Sequence, residues 1–326
     1  MRPLPFNVVF VTSSPIKRRS NLTDIDDLEL PDWAVRHHFL NHSPSGCTRP
    51  DDLEFFEKVV ARPARVFNPF GIPAVAGTIA HDYATDVISK GVEQAEAFRH
   101  AVSRLDEYTP RPWIEKDDWK HNVIRESIYA VPKSDPKVSG TVFELTLEHL
   151  LQGVREATAG SNVVEEGKWA SIRFNGLTLP TVGQLDLQDR GVIEMKTKWP
   201  RNSNQAKKGW GPPTIPKTPD PDHVMQVAFY WRWMREQSEN VPVKLIYAGC
   251  NGYRVFDSAN EPLLSEASMS AALDHMRKVA RKREIILQAC ATRDQLFEMV
   301  TPNFKDWKWN NVRPEYFKLA CQVWGV

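Results

Sequence analysis

Between Trp169 and Thr197 the chain can do little other than fold back on itself twice. Trp169-Ala170-Ser171-Ile172-Arg173-Phe174 reads as a strand, and Asn175-Gly176, a pair that tolerates the left-handed backbone of a hairpin turn, follows it. Leu177–Leu187 reads as a second strand, Asp189-Arg190-Gly191 as a further turn, and Val192–Thr197 as a third strand. The period is helical on the upstream side. From Gly77 onward Ile79, Tyr83, Val87 and Ile88 recur at three-to-four spacing, and further helices are predicted near Glu93–Tyr108 and Thr141–Arg155. Downstream, a loop punctuated by Pro200, Pro212, Pro213, Pro216, Pro219 and Pro221 leads to a helix near Asp222–Gln237. Strands at Val243–Ala248 and Tyr253–Asp257 follow, then a long helix near Leu264–Cys290 and a tail containing tryptophan. Residues 1–75 are rich in proline, with an acidic stretch at Asp24–Glu29 and a short helix expected near Asp51–Val60.

The pattern predicts an α/β protein with a mixed sheet, in the order helix, three antiparallel strands, helix, strand. We divide it into an N-terminal extension (1–75), a core (76–260) and a C-terminal helical region (261–326). A length of 326 residues fits about two domains, or one large domain with extensions. With 41% hydrophobic and 25% charged residues, a wholly disordered chain is excluded. No apolar run reaches the roughly 18 residues of a membrane helix, so no membrane association is expected. The 42 basic and 41 acidic residues cancel, so any nucleic-acid surface must be a local cluster. Cys47, Cys250, Cys290 and Cys321 form no CxxC pair, which argues against a zinc ribbon and for reduced thiols in a cytoplasmic, intracellular setting. Phe6–Val11 is too short for a secretory h-region, and Pro3, Pro5 and Pro15 break the helix an organelle transit peptide needs.

Chemistry concentrates at the second turn. With Gln188 opposite Val192, counting back along both strands sets Asp186 opposite Glu194, where Cβ atoms lie about 4.5–5.5 Å apart. Lys196 falls on the same face, while Leu185, Leu187, Ile193 and Met195 point the other way, into a core. An alternating strand can also bring such residues together on a merely solvated face. Opposed carboxylates repel, so one must be protonated or a cation must lie between them. Oxygen donors favour magnesium, calcium or manganese over zinc. A neighbouring lysine would orient a nucleophile or stabilise developing negative charge. In outline this is a site for phosphodiester hydrolysis.

Asp186 followed by Glu194-Met195-Lys196 resembles the motif of the PD-(D/E)XK nucleases. Gly77-Thr78-Ile79-Ala80-His81 resembles the G-x-x-x-H helix start of the RecB-like exonuclease branch, and Gln226-Val227-Ala228-Phe229-Tyr230 its downstream Q-x-x-x-Y. Each motif alone is common; the resemblance lies in their order along about Gly77 to Asp257. It implies a restriction-endonuclease-like core and a catalytic metal, Mg2+ or Mn2+, held by Asp186, Glu194, the backbone carbonyl of Met195 and His81. Lys196 would position the attacking water or stabilise the pentacovalent phosphate. Gln226 and Tyr230, at i and i+4, would contact the lysine or the DNA phosphate. The cysteines depart from the relatives that hold an iron–sulfur cluster, so no cluster is expected.

Around the site, Lys198, Arg201, Lys207, Lys208 and Lys217 follow Lys196 with no acid among them, and Trp199 and Trp210 lie in the same stretch. Basic groups track phosphates and indoles stack on bases, so this loop is expected to contact single-stranded DNA or DNA ends. Arg277, Lys278, Arg281, Lys282 and Arg283 make a second basic face on the C-terminal helix. The expected activity is that of a DNA exonuclease in recombination, repair or replication, with a recombination or replication protein as partner. The alternatives are a structure- or sequence-specific endonuclease on the same core, and a non-catalytic nucleic-acid-binding protein.

Overall fold

The computed structural model describes residues 30–36, 39–66, 72–107, 126–132, 140–161, 164–202, 210–309 and 312–326. The acidic stretch Asp24–Glu29, the first 23 residues, and Lys207 and Lys208 lie outside them. In chain order the elements are α1 (Asp32–Arg36), α2 (Asp51–Phe56, continued by a π turn over Glu57–Ala61), α3 (Ile72–Ile88), α4 (Gln94–Glu107) and α5 (Val142–Ala157). Short strands β1 (Glu165–Glu166), β2 (Trp169–Ile172), β3 (Thr181–Gln184) and β4 (Leu187–Gln188) follow, then β5 (Val192–Thr197), β6 (Arg201–Asn202) and β7 (Trp210–Gly211). The chain continues through α6 (Pro221–Arg235), β8 (Val243–Gly249), β9 (Gly252–Asp257), α7 (Glu266–Ala289), α8 (Arg293–Met299) and α9 (Pro314–Trp324). No helix among the described residues is long and apolar enough to cross a membrane.

The fold is mixed α/β around a five-stranded sheet ordered β1-β4-β5-β8-β9. Its central pair, β5 and β8, is parallel, and the other neighbours are antiparallel. The expected second strand is broken in two. Thr181–Gln184 pairs with β2 in a separate hairpin, and only Leu187 and Gln188 enter the main sheet. The Asn175-Gly176 turn forms, with Gly176 at φ 81°, but it is the tip of an eight-residue connection and not a two-residue hairpin loop. Three antiparallel strands in one sheet is therefore corrected to a sheet with a flanking hairpin.

Two apolar layers cover the sheet. On one face Leu187, Ile193, Met195, Ile246 and Ala248 pack against α3, α4 and α5. Helix α5 begins with reciprocal hydrogen bonds: Glu144 N–H donates to Thr141 Oγ1 at 3.2 Å, and Thr141 N–H donates to Glu144 Oε2 at 2.7 Å. On the other face Val192, Val243, Leu245 and Tyr247 pack against α6 and α7. A third layer joins the ends of the chain, with Phe55, Phe56 and Val59 against Leu296, Trp309 and Tyr316.

Helix α7 covers nearly the expected span, but its basic face is not wholly free. Arg283 is 2% exposed. Its guanidinium donates to Asp51 Oδ1 at 2.9 Å, to the Gly46 carbonyl at 3.0 Å and to the Arg49 carbonyl at 2.8 Å. Lys282 also pairs with Asp51, and Arg277 with Asp274. Arg283 and Lys282 tie α7 to residues 46–51, where buried backbone carbonyls need donors, so Arg283 is withdrawn from the expected DNA-facing set, while Arg277, Lys278, Arg281 and Lys282 stay exposed. Glu54 is drawn into the same knot. Burial would raise its carboxyl, but Lys58, Arg283 and Arg49 outweigh that and hold it down to about 2. Arg283→Met should destabilise the protein by roughly 3–5 kcal/mol in urea denaturation, because it leaves the Gly46 and Arg49 carbonyls without their donor and Asp51 with Lys282 alone. A loss under about 1 kcal/mol would show that water replaces the guanidinium.

Candidate active site

The register around the second turn is as expected: Gln188 pairs with Val192 and Leu187 with Ile193. The Asp189 side chain closes the turn by accepting the Gly191 N–H at 2.8 Å. One residue before Leu187 the strand bends, and Asp186 leaves the ladder. Its Oδ2 accepts the Met195 N–H at 2.7 Å. A side chain thus takes the place of a strand in satisfying β5. The bend also turns Leu185 over. It packs in the opposite apolar layer from Leu187, contrary to strict alternation.

This bend needs a glycine elsewhere. Leu185 N–H donates to the Lys168 carbonyl at 3.2 Å, and Gly167 N–H donates to the Asp186 carbonyl at 2.9 Å. A Cβ on Gly167 would lie 1.3 Å from the Leu185 carbonyl oxygen. Only a residue without a side chain lets the backbones cross there. A second close approach occurs at Gly77, where a Cβ would lie 3.0 Å from Thr197 Oγ1. It lets α3 settle on the end of β5 and carry His81, one turn on, toward Asp186. Helix α3 is already formed at Ile72, so Gly77 is an interior packing position and not a helix start.

Along β5, Glu194 and Lys196 fall on the face opposite Ile193 and Met195. Lys196 Nζ donates to Glu194 Oε1 at 2.6 Å. Glu194 Oε2 is buried with no hydrogen-bond partner. His81 Nδ1 lies 3.6 Å from Asp186 Oδ1, beyond a firm hydrogen bond. The Glu194 side chain is 4% exposed, against 20% for Lys196 and 21% for Asp186, so the cluster opens to solvent past the aspartate and lysine.

Burial and the charge of Asp186 push the Glu194 carboxyl up to about 7, against the pull of Lys196. Burial alone would raise Asp186 as well, but His81, Lys196 and the Met195 N–H outweigh it and lower it. Burial opposes the Lys196 charge, yet Glu194 and Asp186 together hold its ammonium above the ordinary value. The two acids are therefore driven apart, one firmly ionised and the other close to sharing a proton at neutral pH.

The donor set suits a hard divalent ion in kind. It offers an orphaned carboxylate oxygen on Glu194 and the Oδ1 of Asp186. The carbonyl of Met195 lies on the same strand edge as its N–H, because both main-chain groups of a strand residue point one way. Among the described residues no three His, Cys, Asp or Glu side chains converge at metal-binding distances. The ion would thus rest on two carboxylates and a carbonyl, with His81 acting on Asp186 and water or phosphate oxygens filling the remaining positions.

The other expected residues are distributed around this centre. Tyr230 is buried on α6, and its hydroxyl donates to the Gln184 carbonyl at 2.7 Å, which holds the hairpin beside Asp186. Burial and the nearby Glu194 and Asp186 charges push its phenol well above the ordinary range. Gln226 is half-buried one turn earlier on the same face. Lys198 is placed by its N–H, which donates to the Ala248 carbonyl at 2.7 Å and extends the β5–β8 ladder. Arg201 and Lys217 are exposed, and Trp210 is half-buried. Trp199 is not a base platform: it is buried and stacked on Phe143, with centroids 6.0 Å apart and planes 17° apart. Glu165 and Glu166 pair with Lys168 and Lys90, away from the acids.

Two residues absent from the sequence reading adjoin the centre. Tyr247 is the register partner of Lys196 on β8, and its hydroxyl meets His223 Nδ1 at 2.8 Å. The available signal was helical spacing, since His223, Gln226 and Tyr230 lie at i, i+3 and i+7 on one face of α6.

No protein-family model matches this chain, and no curated protein matches it significantly. Among solved structures it is similar to that of a candidate exonuclease from Eubacterium rectale, at 10% identity and a TM-score of 0.41. The similarity covers 80% of this chain and 85% of that one, and it is too distant to carry residue roles across.

Two measurements test this geometry. In carboxyl-carbon NMR of the metal-free protein, Glu194 should titrate near pH 7. Asp186→Asn should lower that midpoint by roughly a unit by removing a like charge, and Lys196→Met should raise it. A Glu194 midpoint near 4.5 in all three would contradict the buried, opposed arrangement. Gly167→Ala should cost about 2–3 kcal/mol of stability by forcing the crossing strands apart; a neutral effect in thermal melts would disprove the close crossing.

Proposed function

We propose that this protein is a metal-dependent DNA nuclease, acting as an exonuclease on single strands or DNA ends in recombination, repair or replication. The observation that carries the reading is the gathering of Asp186, Glu194 and Lys196 into one cluster, with Glu194 Oε2 buried and unpartnered. A buried carboxylate oxygen with no donor is costly unless a ligand completes it. A bound Mg2+ or Mn2+ supplies charge neutralisation at the phosphate and a more acidic water.

The chain's own groups do the rest. The Met195 N–H fixes Asp186 through Oδ2, which leaves Oδ1 uncommitted, with His81 3.6 Å away. Lys196, held at Glu194 Oε1, keeps its ammonium charged at the mouth of the site. From there it can hydrogen-bond the attacking water or the phosphoryl oxygens as negative charge grows. The Tyr230 hydroxyl, donating to the Gln184 carbonyl, holds the hairpin beside the cluster. Lys198, Arg201 and Lys217 supply positive charge along the approach.

Asp186→Asn retains an oxygen that can accept the Met195 N–H, so the fold should survive while cleavage falls by about 10³-fold or more; Lys196→Ala should do the same. Chelator should silence cleavage of end-labelled DNA, and Mg2+ or Mn2+ should restore it. Either purified variant turning over DNA at the parent rate would refute the assignment. A circular single strand tests the mode of attack: an exonuclease leaves it intact, and its degradation would identify an endonuclease.

A further inference from the structure

We propose that Lys198, His223 and Tyr247 form a phosphate-gripping subsite beside Lys196, which holds a phosphate of the bound strand other than the one being cleaved. This rests on the nuclease reading above, and it adds two residues to it.

The geometry begins at the parallel pair β5–β8. Lys196 and Tyr247 are register partners, so their side chains lie next to each other on one face. Lys198 is on that face too, two residues on, with Nζ 5.0 Å from the centre of the Tyr247 ring. The tyrosine hydroxyl is fixed from above by α6. It accepts the Asp220 N–H at 3.0 Å and meets His223 Nδ1 at 2.8 Å. The hydroxyl proton needs an acceptor, and among the described residues Nδ1 is the one within hydrogen-bond reach, so we assign the proton to the Tyr247–Nδ1 bond. That places the imidazole proton on Nε2, at the end of the ring turned away from Tyr247.

The ring stays neutral. Burial, then Lys196 and Lys198, push His223 down to about 3. It therefore offers a donor at any working pH without adding repulsion to the two lysines. Burial also lowers Lys198, with Arg201 and Lys196 adding to it and Asp220 opposing. Asp220 is the acid that acts on both Lys198 and His223, and its Oδ1 is occupied in capping the helix through the Asp222 N–H at 3.0 Å. Lys196, Lys198 and His223 are each half-buried, and both lysines act electrostatically on the ring, so two cations and an N–H donor stand together beside the acids. That is the chemistry of a phosphate oxygen cluster and unlike that of a metal or a cationic ligand. Tyr247 acts as a positioning residue that sets the histidine tautomer.

The test uses the full chain with chelator present, so that binding is read without cleavage. Inorganic phosphate should shift the Nε2 resonance of His223 in nitrogen-15 NMR, and Lys198→Ala should abolish the shift. His223→Ala should weaken binding of a short single-stranded oligonucleotide about tenfold. With metal restored, it should raise KM by a similar factor and leave kcat within about twofold. His223→Gln, whose amide can reach the Nε2 position, should recover most of the affinity. His223→Asn, which mimics Nδ1, should not. Strands with 5′-phosphate, 3′-phosphate or hydroxyl ends separate the source of the phosphate. A loss confined to one end assigns a terminal monoester, and an equal loss on all three assigns an internal diester. The inference is overturned if phosphate leaves His223 unmoved, or if Gln is no better than Asn. If phosphate binds as described but no DNA is cleaved under any metal, the nuclease reading falls and the anion site stands.

Discussion

A single hydrogen bond, from the Met195 N–H to Asp186 Oδ2, sets the shape of everything around the centre. A strand that continued past Leu187 would have used its own backbone to satisfy β5, and its side chains would have kept to strict alternation. Here a side chain does that work, so the backbone is released to bend. The bend sends the Thr181–Gln184 hairpin off the sheet, turns Leu185 to the other layer and leaves one edge of β5 open beside Met195. An open strand edge next to two carboxylates is what a ligand needs. Gly167 is the other half of the device, because the crossing it permits pins the bend from behind.

Strand β5 is consequently two-sided in a sense stronger than ordinary amphipathicity. Ile193 and Met195 are fully buried under α3 and α5, while on the opposite side Glu194 is nearly as deep and Lys196 reaches the opening. Burying a carboxylate with one unsatisfied oxygen is unfavourable by a few kcal/mol. Glu194 answers part of this by moving its carboxyl up toward neutrality, and the rest is offset by the two apolar layers that cover the sheet. The cost is local and lies on the parallel β5–β8 pair at the middle of the sheet, covered on both faces, a placement that favours precise positioning.

Much of this was legible in the sequence, and the failures share a cause. The turn at Asp189–Gly191 and the pairing Gln188–Val192 follow from local chemistry, and they were read correctly. The helices near Gln94–Glu107, Val142–Ala157 and Glu266–Ala289 have enough periodic residues to be recognised alone. What was missed depends on partners far along the chain. Nothing near Leu185 announces that the strand breaks, because the break is stabilised by Gly167 and Met195. Arg283 reads as one more surface cation, yet it is consumed by carbonyls more than two hundred residues earlier. Trp199 reads as a base-stacking indole because it sits among lysines, but Phe143 on α5 claims its ring. His223 and Tyr247 were overlooked for the converse reason: each is ordinary on its own element, and only the β5–β8 register and the cap of α6 bring them together.

The electrostatic design of this face then follows a simple rule. Charge is graded in depth: the Glu194 carboxylate lies innermost, Asp186 and Lys196 stand at the opening, and Lys198 follows two residues on. Were His223 protonated, a third cation would stand beside the two lysines, and repulsion would favour displacement of one of them. Burial and the lysines keep it neutral, and the Tyr247 hydroxyl gives the neutral ring a fixed orientation. The face can therefore remain attractive to anions while retaining a region for a cation behind them. That order of charges is what the proposed phosphodiester substrate would meet: lysines for its anionic oxygens, with carboxylates behind them for a cation.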